Sequence, residues 1–305
     1  MDSRFRGNDI NIMTIDYQVL KNWRFSEIEH SYTIEDTMRY ALAVGVGHDP
    51  MDERALRCVT EYQLQALPTM AVVLGYPGFW MTDPRTGIDA TLILHGEEAL
   101  TLHRPLPVAA TVFSRHQMKH VIDKGAGKGA VVIYDKALFD KATGELLATI
   151  KHTAFCRGNG GFSTKDGISD AAPPPPKPMP TTPPDLVCDL PTLPQQALLY
   201  RLLADRNPLH ALPKAALDAG FQRPILHGLC TYGVVGHALL KTLCGYQPDR
   251  IKHQGVRFTA PVYPGETIRT EIWSKENPIR FRAKVLERDV MVVNFGEFEL
   301  NSAMP

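Results

Sequence analysis

The segment Tyr200-Arg-Leu-Leu-Ala-Asp205-Arg-Asn207-Pro208-Leu-His210 places an acid, an amide and an imidazole within six residues, with a proline among them. The leucines before Asp205 have helical spacing, and the residue preceding a proline is biased away from the α conformation. We therefore predict a helix that ends near Arg206 and a turn that carries the three polar side chains. Because aliphatic residues surround this turn, burial would shift the pKa values of its polar groups toward neutrality, as acid–base catalysis needs.

The same residues allow a simpler interpretation, in which Asp205 and Asn207 only satisfy loose backbone groups at a helix end and His210 is exposed. A second segment, Gly220-Phe-Gln-Arg-Pro224-Ile-Leu-His227-Gly228, favours the chemical interpretation because it leads into an apolar helix. A glycine at a helix start can offer its N–H to a ligand oxygen, and the helix dipole favours negative charge there. For His227 we favour a structural hydrogen bond over a role as a base.

Together the two segments resemble the MaoC-like, hydratase-2 family of (R)-specific enoyl-CoA hydratases, whose signature is Asp-x-Asn-Pro-Leu-His followed by Pro-Ile-Leu-His-Gly. The asparagine, histidine and glycine follow Asp205 by two, five and twenty-three positions, as they do in that family. The resemblance implies that Asp205, Asn207 and His210 are catalytic and that Gly228 stabilises an oxyanion. One departure is Ala204, where many members have glycine, and it leaves the polar groups intact.

The resemblance also implies substrate-binding residues outside the catalytic turn. His95, Gly96 and Glu97 resemble the acyl-tunnel wall of the family. The loop Arg157-Gly158-Asn159-Gly160-Gly161-Phe162 resembles its Arg-Gly-x-Gly-Gly-Phe element, and such a loop can approach a phosphate, although simple chain reversal is the alternative. The candidates in this loop are Arg157, Gly158, Gly160, Gly161 and Phe162. No helix pattern follows the loop, which disfavours a dinucleotide fold.

Residues 171–184 are dominated by proline and predict an extended linker that divides the chain nearly in half. A motif for SH3-type partners is the alternative. We expect a disordered extension over residues 1–12, an N-terminal acyl-binding unit over 13–165, a linker over 166–184 and a catalytic unit over 185–305. The resemblance implies an α+β double hot-dog fold, in which each unit is a long helix wrapped by a curved antiparallel sheet.

The two halves look like diverged copies. Residues 40–48 align with 200–208, and Leu94-His95-Gly96 aligns with Leu226-His227-Gly228. Gly45 and Gly47 stand where the second copy has its acid and amide, so we expect only the C-terminal half to carry acid–base chemistry. A capping box at 33–36 predicts a helix, and a hairpin turn is predicted at 141–144. The predicted strands are 67–75, 111–119, 130–139 and 146–156.

Composition excludes several classes of partner. The chain has 305 residues, with 33 basic and 33 acidic side chains and no net charge, which argues against nucleic acid or an anionic membrane. No apolar stretch reaches the roughly 20 residues that span a bilayer. Five cysteines without a Cys-x-x-Cys pair fit a reducing cytosol and give no zinc motif, and His48-Asp49 has no further ligand at helical spacing. We expect no metal, no signal peptide, no peroxisomal C-terminal tripeptide and a cytoplasmic protein.

The resemblance implies reversible addition of water to a trans-2-enoyl-CoA, giving an (R)-3-hydroxyacyl-CoA, with the thioester as substrate and no cofactor. It also makes a homodimer plausible. The alternatives are a dehydratase acting on acyl carrier protein or CoA thioesters, an acyl-CoA thioesterase and a non-catalytic acyl-CoA-binding protein. Which of Asp205 and His210 is the base stays open at this point. Because the N-terminal copy is free to diverge, we expect a wide pocket for medium to long or branched acyl chains and one site per chain.

Overall fold

The computed structural model describes residues 14–164, 167–203 and 205–301, so the expectation for residues 1–12 lies outside the described residues. Within these ranges the α-helices are α1 (Tyr17–Lys21), α2 (Ile34–Ala43), α3 (Glu53–Leu56), α4 (Gln196–Tyr200), α5 (Pro213–Asp218) and α6 (Gly228–Cys244). The strands are β1 (Ile28–Tyr32), β2 (Ile93–Leu102), β3 (Ala110–Asp123), β4 (Ala130–Asp140), β5 (Leu146–Cys156), β6 (Leu186–Pro191), β7 (Ile251–Phe258), β8 (Thr267–Trp273), β9 (Ile279–Val285) and β10 (Val290–Leu300). Short 3-10 helices cover Pro68–Val72, Trp80–Thr82, Pro84–Thr86, Ala90–Leu92, Phe162–Thr164, Pro208–His210 and Pro248–Arg250.

All ten strands form one antiparallel sheet in the order β1-β3-β4-β5-β2-β7-β10-β9-β8-β6. The first five strands and the last five have the same internal order, and the two sets meet where β2 pairs with β7. Ala99 lies opposite Gly255 at this junction. Pairing the two inner strands covers an edge that each half would otherwise expose. The fold is the predicted α+β double hot-dog, with the two halves joined edge to edge.

The three strands predicted from β-branched and aromatic residues in the N-terminal half are confirmed as β3, β4 and β5. The hairpin between β4 and β5 is also confirmed. Its turn is held by Asp140, whose carboxylate accepts hydrogen bonds from the backbone N–H groups of Ala142 and Thr143. Such side-chain capping is the physical reason that aspartate favours turns.

Helix α6 is the long central helix of the C-terminal half, and it is buried along most of its length. Two of its glycines permit close packing against the other half. A Cβ on Gly233 would lie 2.5 Å from Val44, and one on Gly236 would lie 2.6 Å from Thr69. The helix ends at Gly245, whose φ of 58° is the left-handed conformation that suits a glycine after a helix.

Among the residues that the structure describes, the longest α-helix of the N-terminal half is α2, which has 10 residues where α6 has 17. The predicted strand 67–75 is wrong, because Pro68–Val72 forms a buried 3-10 helix. Pro68 fixes the backbone φ angle at the start of this helix, and Lys136 provides hydrogen-bond donors for the carbonyl groups at its end. The Lys136 ammonium donates to the carbonyl oxygens of Ala71, Val72 and Leu74 at 3.0, 2.8 and 2.8 Å.

Helix α2 begins with the predicted capping box, in which Thr33 and Asp36 bond each other's backbone N–H groups. It follows β1 as α4 follows β6, and Tyr40 on α2 lies 6.3 Å from Tyr200 on α4 between ring centroids. The alignment of residues 40–48 with 200–208 therefore pairs two helices, α2 and α4, that occupy the same place in the chain order of their halves.

The alignment of residues 94–96 with 226–228 is wrong. Residues 94–96 lie in β2, whose counterpart in the second half is β7, whereas residues 226–228 lead into α6. A shared Leu-His-Gly sequence thus adopts two different structures, because tertiary context overrides a three-residue likeness.

Residues 171–184 contain neither helix nor strand and are mostly exposed. Just before them, Asp170 accepts a hydrogen bond from the Val121 N–H on β3. Farther along, Arg280 donates to the Lys177 carbonyl, and the Trp273 indole donates to the Thr182 carbonyl. The segment therefore runs from the N-terminal half onto the sheet of the C-terminal half. In the part of the chain that the structure describes, no helix is long and apolar enough to cross a membrane.

Candidate active site

A cavity of about 1000 Å³ opens between the two halves. The C-terminal half contributes the turn 205–210, the start of α6 and residues 258–262. The N-terminal half contributes the loop around 76–82, the beginning of β2 and part of β5. The site is therefore a product of both halves.

The turn after α4 orders its polar groups by local hydrogen bonds. One Asp205 carboxylate oxygen, Oδ1, accepts the Asn207 N–H at 2.9 Å, and the Asn207 side-chain oxygen accepts the Leu209 N–H at 3.0 Å. These bonds are the ones that the simpler interpretation anticipated. They leave Asp205 Oδ2 directed toward His210, 3.9 Å from its Nε2 atom. This distance is too long for a direct hydrogen bond and allows one water oxygen to contact both atoms.

His210 is buried, contrary to the simpler interpretation of an exposed side chain. Its Nδ1 lies 2.9 Å from the Ile225 carbonyl, which has only lone pairs to offer, so Nδ1 carries the proton. In the neutral ring Nε2 is then an acceptor on the cavity side. Burial lowers the pKa of His210, while the Asp205 charge and the Ile225 carbonyl oppose that shift. The geometry thus provides a neutral imidazole with a free lone pair beside a carboxylate.

His227 contacts both the His210 ring and the Asp205 backbone. Its ring stacks on His210 with centroids 3.7 Å apart, and its Nε2 donates to the Asp205 backbone carbonyl at 3.0 Å. Burial, and then the proximity of His210, lowers the pKa of His227 to about 2, so this ring is neutral. The structural hydrogen bond expected for His227 is present.

Gly228 is the first residue of α6 and lines the same cavity. The first N–H groups of a helix have no partner within the helix, and they carry the positive end of its dipole. The Leu226 N–H is used by the Val262 carbonyl, which fixes the approach to the helix. A Cβ on Gly228 would lie 3.4 Å from the His95 Cβ, so glycine keeps the helix start open to a ligand.

His95 and Gly96 line the cavity as expected, but Glu97 does not. The side chain of Glu97 instead pairs with Arg257 across the β2–β7 junction, with Arg257 Nε donating at 2.7 Å. The next residue, Glu98, is fully buried and accepts from His95 Nε2 at 2.9 Å and from His152 Nδ1 at 2.7 Å. Burial opposes the charge of Glu98, but His152 and then His95 outweigh burial and lower the pKa of Glu98 to about 2.

The glycine-rich loop is not among the residues that line this cavity, although the resemblance led us to expect a substrate-channel role. The residues concerned are Arg157, Gly158, Gly160, Gly161 and Phe162. The Gly161 and Ser163 N–H groups bind the carboxylate of Asp123 at 2.7 and 2.8 Å, so they are not free to bind a phosphate. A Cβ on Gly160 would lie 2.2 Å from the Gly125 carbonyl oxygen, which explains the need for glycine there. The loop reverses the chain, as the alternative interpretation proposed.

Sequence reasoning missed several cavity residues of the N-terminal half. The aromatic ones share no motif and come from different elements: Tyr76, Phe79, Trp80, Tyr134 and Phe155. The alternation of residues along β4 and β5 would have placed Tyr134 and His152 inward, but only the strand pairing identifies the cavity that they face.

Two groups of side chains hold ligand-capable atoms within 4.8 Å of one another, namely His95, Glu98 and His152, and Asp205, His210 and His227. In the first group a single Glu98 oxygen already serves both imidazoles. In the second group one nitrogen of each histidine is bound to a backbone carbonyl. Hydrogen bonding therefore accounts for both arrangements.

Comparison with known proteins identifies the family of this chain. Residues 175–294 match the family described as MaoC like domain, and residues 30–158 match the MFE-2 hydratase 2 N-terminal domain. The chain is 38% identical over 292 residues to enoyl-CoA hydratase ChsH3 of Mycobacterium tuberculosis, with 93% of this chain and 98% of that protein covered. It is 36% identical to the peroxisomal enoyl-CoA hydratase 2 of Arabidopsis thaliana, with 88% and 91% covered.

A solved MaoC-like dehydratase from Phytophthora capsici superposes with a TM-score of 0.81 at 31% identity, covering 95% of this chain and all of that one. Both halves are matched in chain order, and the relatives align along nearly their whole length. The chain therefore belongs to the MaoC-like, hydratase 2 family of double hot-dog proteins.

Proposed function

We propose that this protein is an (R)-specific enoyl-CoA hydratase, which adds water reversibly to a trans-2-enoyl-CoA and forms an (R)-3-hydroxyacyl-CoA. The observation that carries the proposal is the 3.9 Å separation of His210 Nε2 and Asp205 Oδ2 on the wall of a cavity that also contains the start of α6. The relatives named as enoyl-CoA hydratases support the same reaction.

In the proposed mechanism one water lies between Asp205 and His210, with its two protons directed at Oδ2 and Nε2. His210 Nε2 takes a proton as the water oxygen bonds to C3, and the C2–C3 π electrons move into the thioester. The enolate then re-forms the thioester carbonyl as C2 takes the same proton from His210 Nε2. Hydroxyl and hydrogen therefore add to one face of the double bond. Asp205 stabilises the transient imidazolium, and Asn207 holds the turn that positions both groups. Neutral His210 with a free Nε2 lone pair favours His210 as the base.

The thioester oxygen gains negative charge in the enolate, and the Gly228 N–H is proposed to stabilise it. Losing one donor of this kind typically costs about 3–4 kcal/mol in the transition state. The helix dipole of α6 acts in the same direction.

The test uses His210→Gln and Asp205→Asn, which keep side chains of similar size. The first removes the proposed base, and the second removes the negative charge beside it. We expect turnover to fall at least about 100-fold in each, with the folded state retained. Loss of absorbance from the conjugated enoyl thioester measures hydration, and release of free thiol reports hydrolysis. Near-wild-type hydration in both variants would contradict the assignment. Thiol release by the wild type would instead favour a thioesterase.

The division of the chain is part of the same proposal. We assign the acyl-binding role to residues 13–165, the catalytic role to 185–305 and a connecting role to 166–184. The aromatic walls supplied by the N-terminal half support medium to long or branched acyl chains, with one site per chain. No cofactor is required by this mechanism. A homodimer and a cytoplasmic location also remain proposals, and the Arabidopsis relative is named as peroxisomal.

A further inference from the structure

The second polar cluster of the cavity lies on the N-terminal half, and the proposed mechanism does not use it. It consists of Glu98 with the two imidazoles of His95 and His152. Glu98 is fully buried, and its Oε1 has no hydrogen-bond partner in the part of the chain that the structure describes. A buried carboxylate is costly unless it is paired with positive charge. The charge of Lys136 also acts on Glu98, but its ammonium bonds three backbone carbonyls, so a directly bonded cation for Glu98 would be one of the two imidazoles.

A bulge in β2 creates this cluster. In a regular strand His95 and Glu98 would point to opposite faces, because side chains alternate. The pairing of β2 with β5 shifts by one residue between His95 and Glu97, so Gly96 is the extra residue. A bulge redirects side chains, and here it turns His95 and Glu98 to the same face. Glu98 also lies directly opposite His152 in the strand register, which completes the cluster.

The positive charge is less costly on His95 than on His152. The His95 side chain is 26% exposed and lines the cavity, whereas the His152 side chain is 9% exposed. Burial lowers the pKa of His152, with Glu98 opposing. A charged group retains more solvation at the cavity surface, so the proton that balances Glu98 belongs on His95.

His95 also lies beside the start of α6. Its Cβ is 3.4 Å from the position that a Cβ on Gly228 would occupy, and both residues line the cavity. The His95 ring packs edge-on against Phe258, with centroids 5.0 Å apart, which restricts its orientation. Glu98 holds Nε2, so Nδ1 is the ring nitrogen that the carboxylate does not occupy.

We propose that His95, held as an imidazolium by Glu98, is a second group that stabilises negative charge on the thioester oxygen beside the Gly228 N–H. The N-terminal half then supplies a charged group to the reaction and not only an acyl-binding wall. This inference rests on the proposed hydration, because that reaction places negative charge on the thioester oxygen. Glu98 is a positioning residue that acts through His95.

The first test separates transition-state stabilisation from substrate binding. Two variants remove the charge with little change in shape, His95→Gln and Glu98→Gln. A group whose interaction with the thioester oxygen strengthens in the transition state lowers kcat far more than it raises KM, so we expect a loss of about 100-fold in kcat and less than about threefold in KM. His103→Gln is the matched control, since His103 is exposed just beyond the end of β2 and its Nε2 bonds the Thr149 hydroxyl. The control retains wild-type kcat and KM.

The second test reports polarisation of the thioester without turnover. The chromophoric thioester 4-dimethylaminocinnamoyl-CoA is bound to Asp205→Asn, in which hydration is suppressed. Hydrogen bonding and positive charge at the thioester oxygen shift its absorbance to longer wavelength. We expect the shift to shrink when His95→Gln or Glu98→Gln is added and to persist when His103→Gln is added.

The outcomes distinguish the two proposals. A wild-type protein that hydrates no enoyl-CoA contradicts the proposed function. Hydration by the wild type, together with an unchanged absorbance shift and a kcat within about threefold in His95→Gln, overturns the role of His95 alone. Thermal unfolding of each variant shows whether it is folded. If Glu98→Gln does not fold, the His95→Gln result alone decides the inference.

Discussion

At the scale of single residues, the proposed chemistry depends on one nitrogen lone pair, that of His210 Nε2. The Ile225 carbonyl fixes the proton on Nδ1, and Asp205 lies 3.9 Å from Nε2 without bonding it directly. Stacking on His227 prevents rotation of the ring. The base is therefore oriented by a carbonyl, a carboxylate and a neutral aromatic neighbour.

The lowered pKa of His210 gives a pH prediction. Burial disfavours the imidazolium, so the ring stays neutral to pH values below its ordinary pKa of 6.5. The rate constant kcat/KM should then stay level as the pH falls to about 6.5 and decline only below it, when Nε2 is protonated. The Asp205 charge favours the imidazolium, so Asp205→Asn should lower the His210 pKa further.

The measurement is ¹³C NMR titration of the His210 ring in the wild type and in Asp205→Asn, alongside the pH profile of hydration. His103→Gln simplifies the spectrum by removing an exposed imidazole and serves as the control. A His210 titration above 6.5, or a rise in its pKa in Asp205→Asn, would contradict this account.

At the scale of elements, the N-terminal half packs the short 3-10 helix Pro68–Val72 against β2, β5 and α6. Lys136 projects inward from β4 and satisfies three carbonyls at the end of this helix. Burial lowers the pKa of Lys136 to about 7, with Glu98 opposing. Three acceptors match the three N–H donors of an ammonium, so the geometry favours the charged form.

Lys136→Met should destabilise the protein, because it leaves buried carbonyls without donors. Each such group costs about 1–3 kcal/mol, and relief from burying the amine offsets part of the total. We expect the free energy of unfolding to fall by about 3 kcal/mol, measured from urea denaturation midpoints. Lys151→Met on the neighbouring β5 is exposed and should change stability by less than about 0.5 kcal/mol. Equal stabilities for the two variants would refute the assigned role of Lys136.

At the scale of the whole molecule, the β2–β7 junction and the shared cavity make the two halves interdependent. Residues 185–305 alone would expose the edge of β7 and lack the walls supplied by residues 76–82, 93–96 and 152–155. We expect this fragment to have no activity on long acyl chains. Cutting the intact protein within residues 171–184 should preserve activity, because the halves stay associated by strand pairing.

Both preparations can be assayed with enoyl-CoA thioesters of increasing chain length. A protease site inserted within residues 171–184 supplies the cut protein. The protein without the inserted site, treated with the same protease, is the control. Full long-chain activity in the isolated fragment would exclude a shared site. Active-site titration that finds two sites per chain would exclude the assignment of one catalytic half.

The sequence by itself determined the turn that carries Asp205, Asn207 and His210, the glycine that begins α6 and the hairpin of β4 and β5, whereas the doubled fold was implied by resemblance to a known family. The first three features depend on short-range rules, since Asp205 to His210 form one turn and Gly228 begins one helix. Only the tertiary structure decided that Pro68–Val72 forms a 3-10 helix, that the glycine-rich loop binds Asp123, and that Glu98 joins His95 and His152. The helical segment depends on a lysine more than sixty positions away, the loop on a carboxylate of another strand, and the cluster on a bulge and strand register. Long-range pairing fixes such contacts, and local sequence spacing does not encode them.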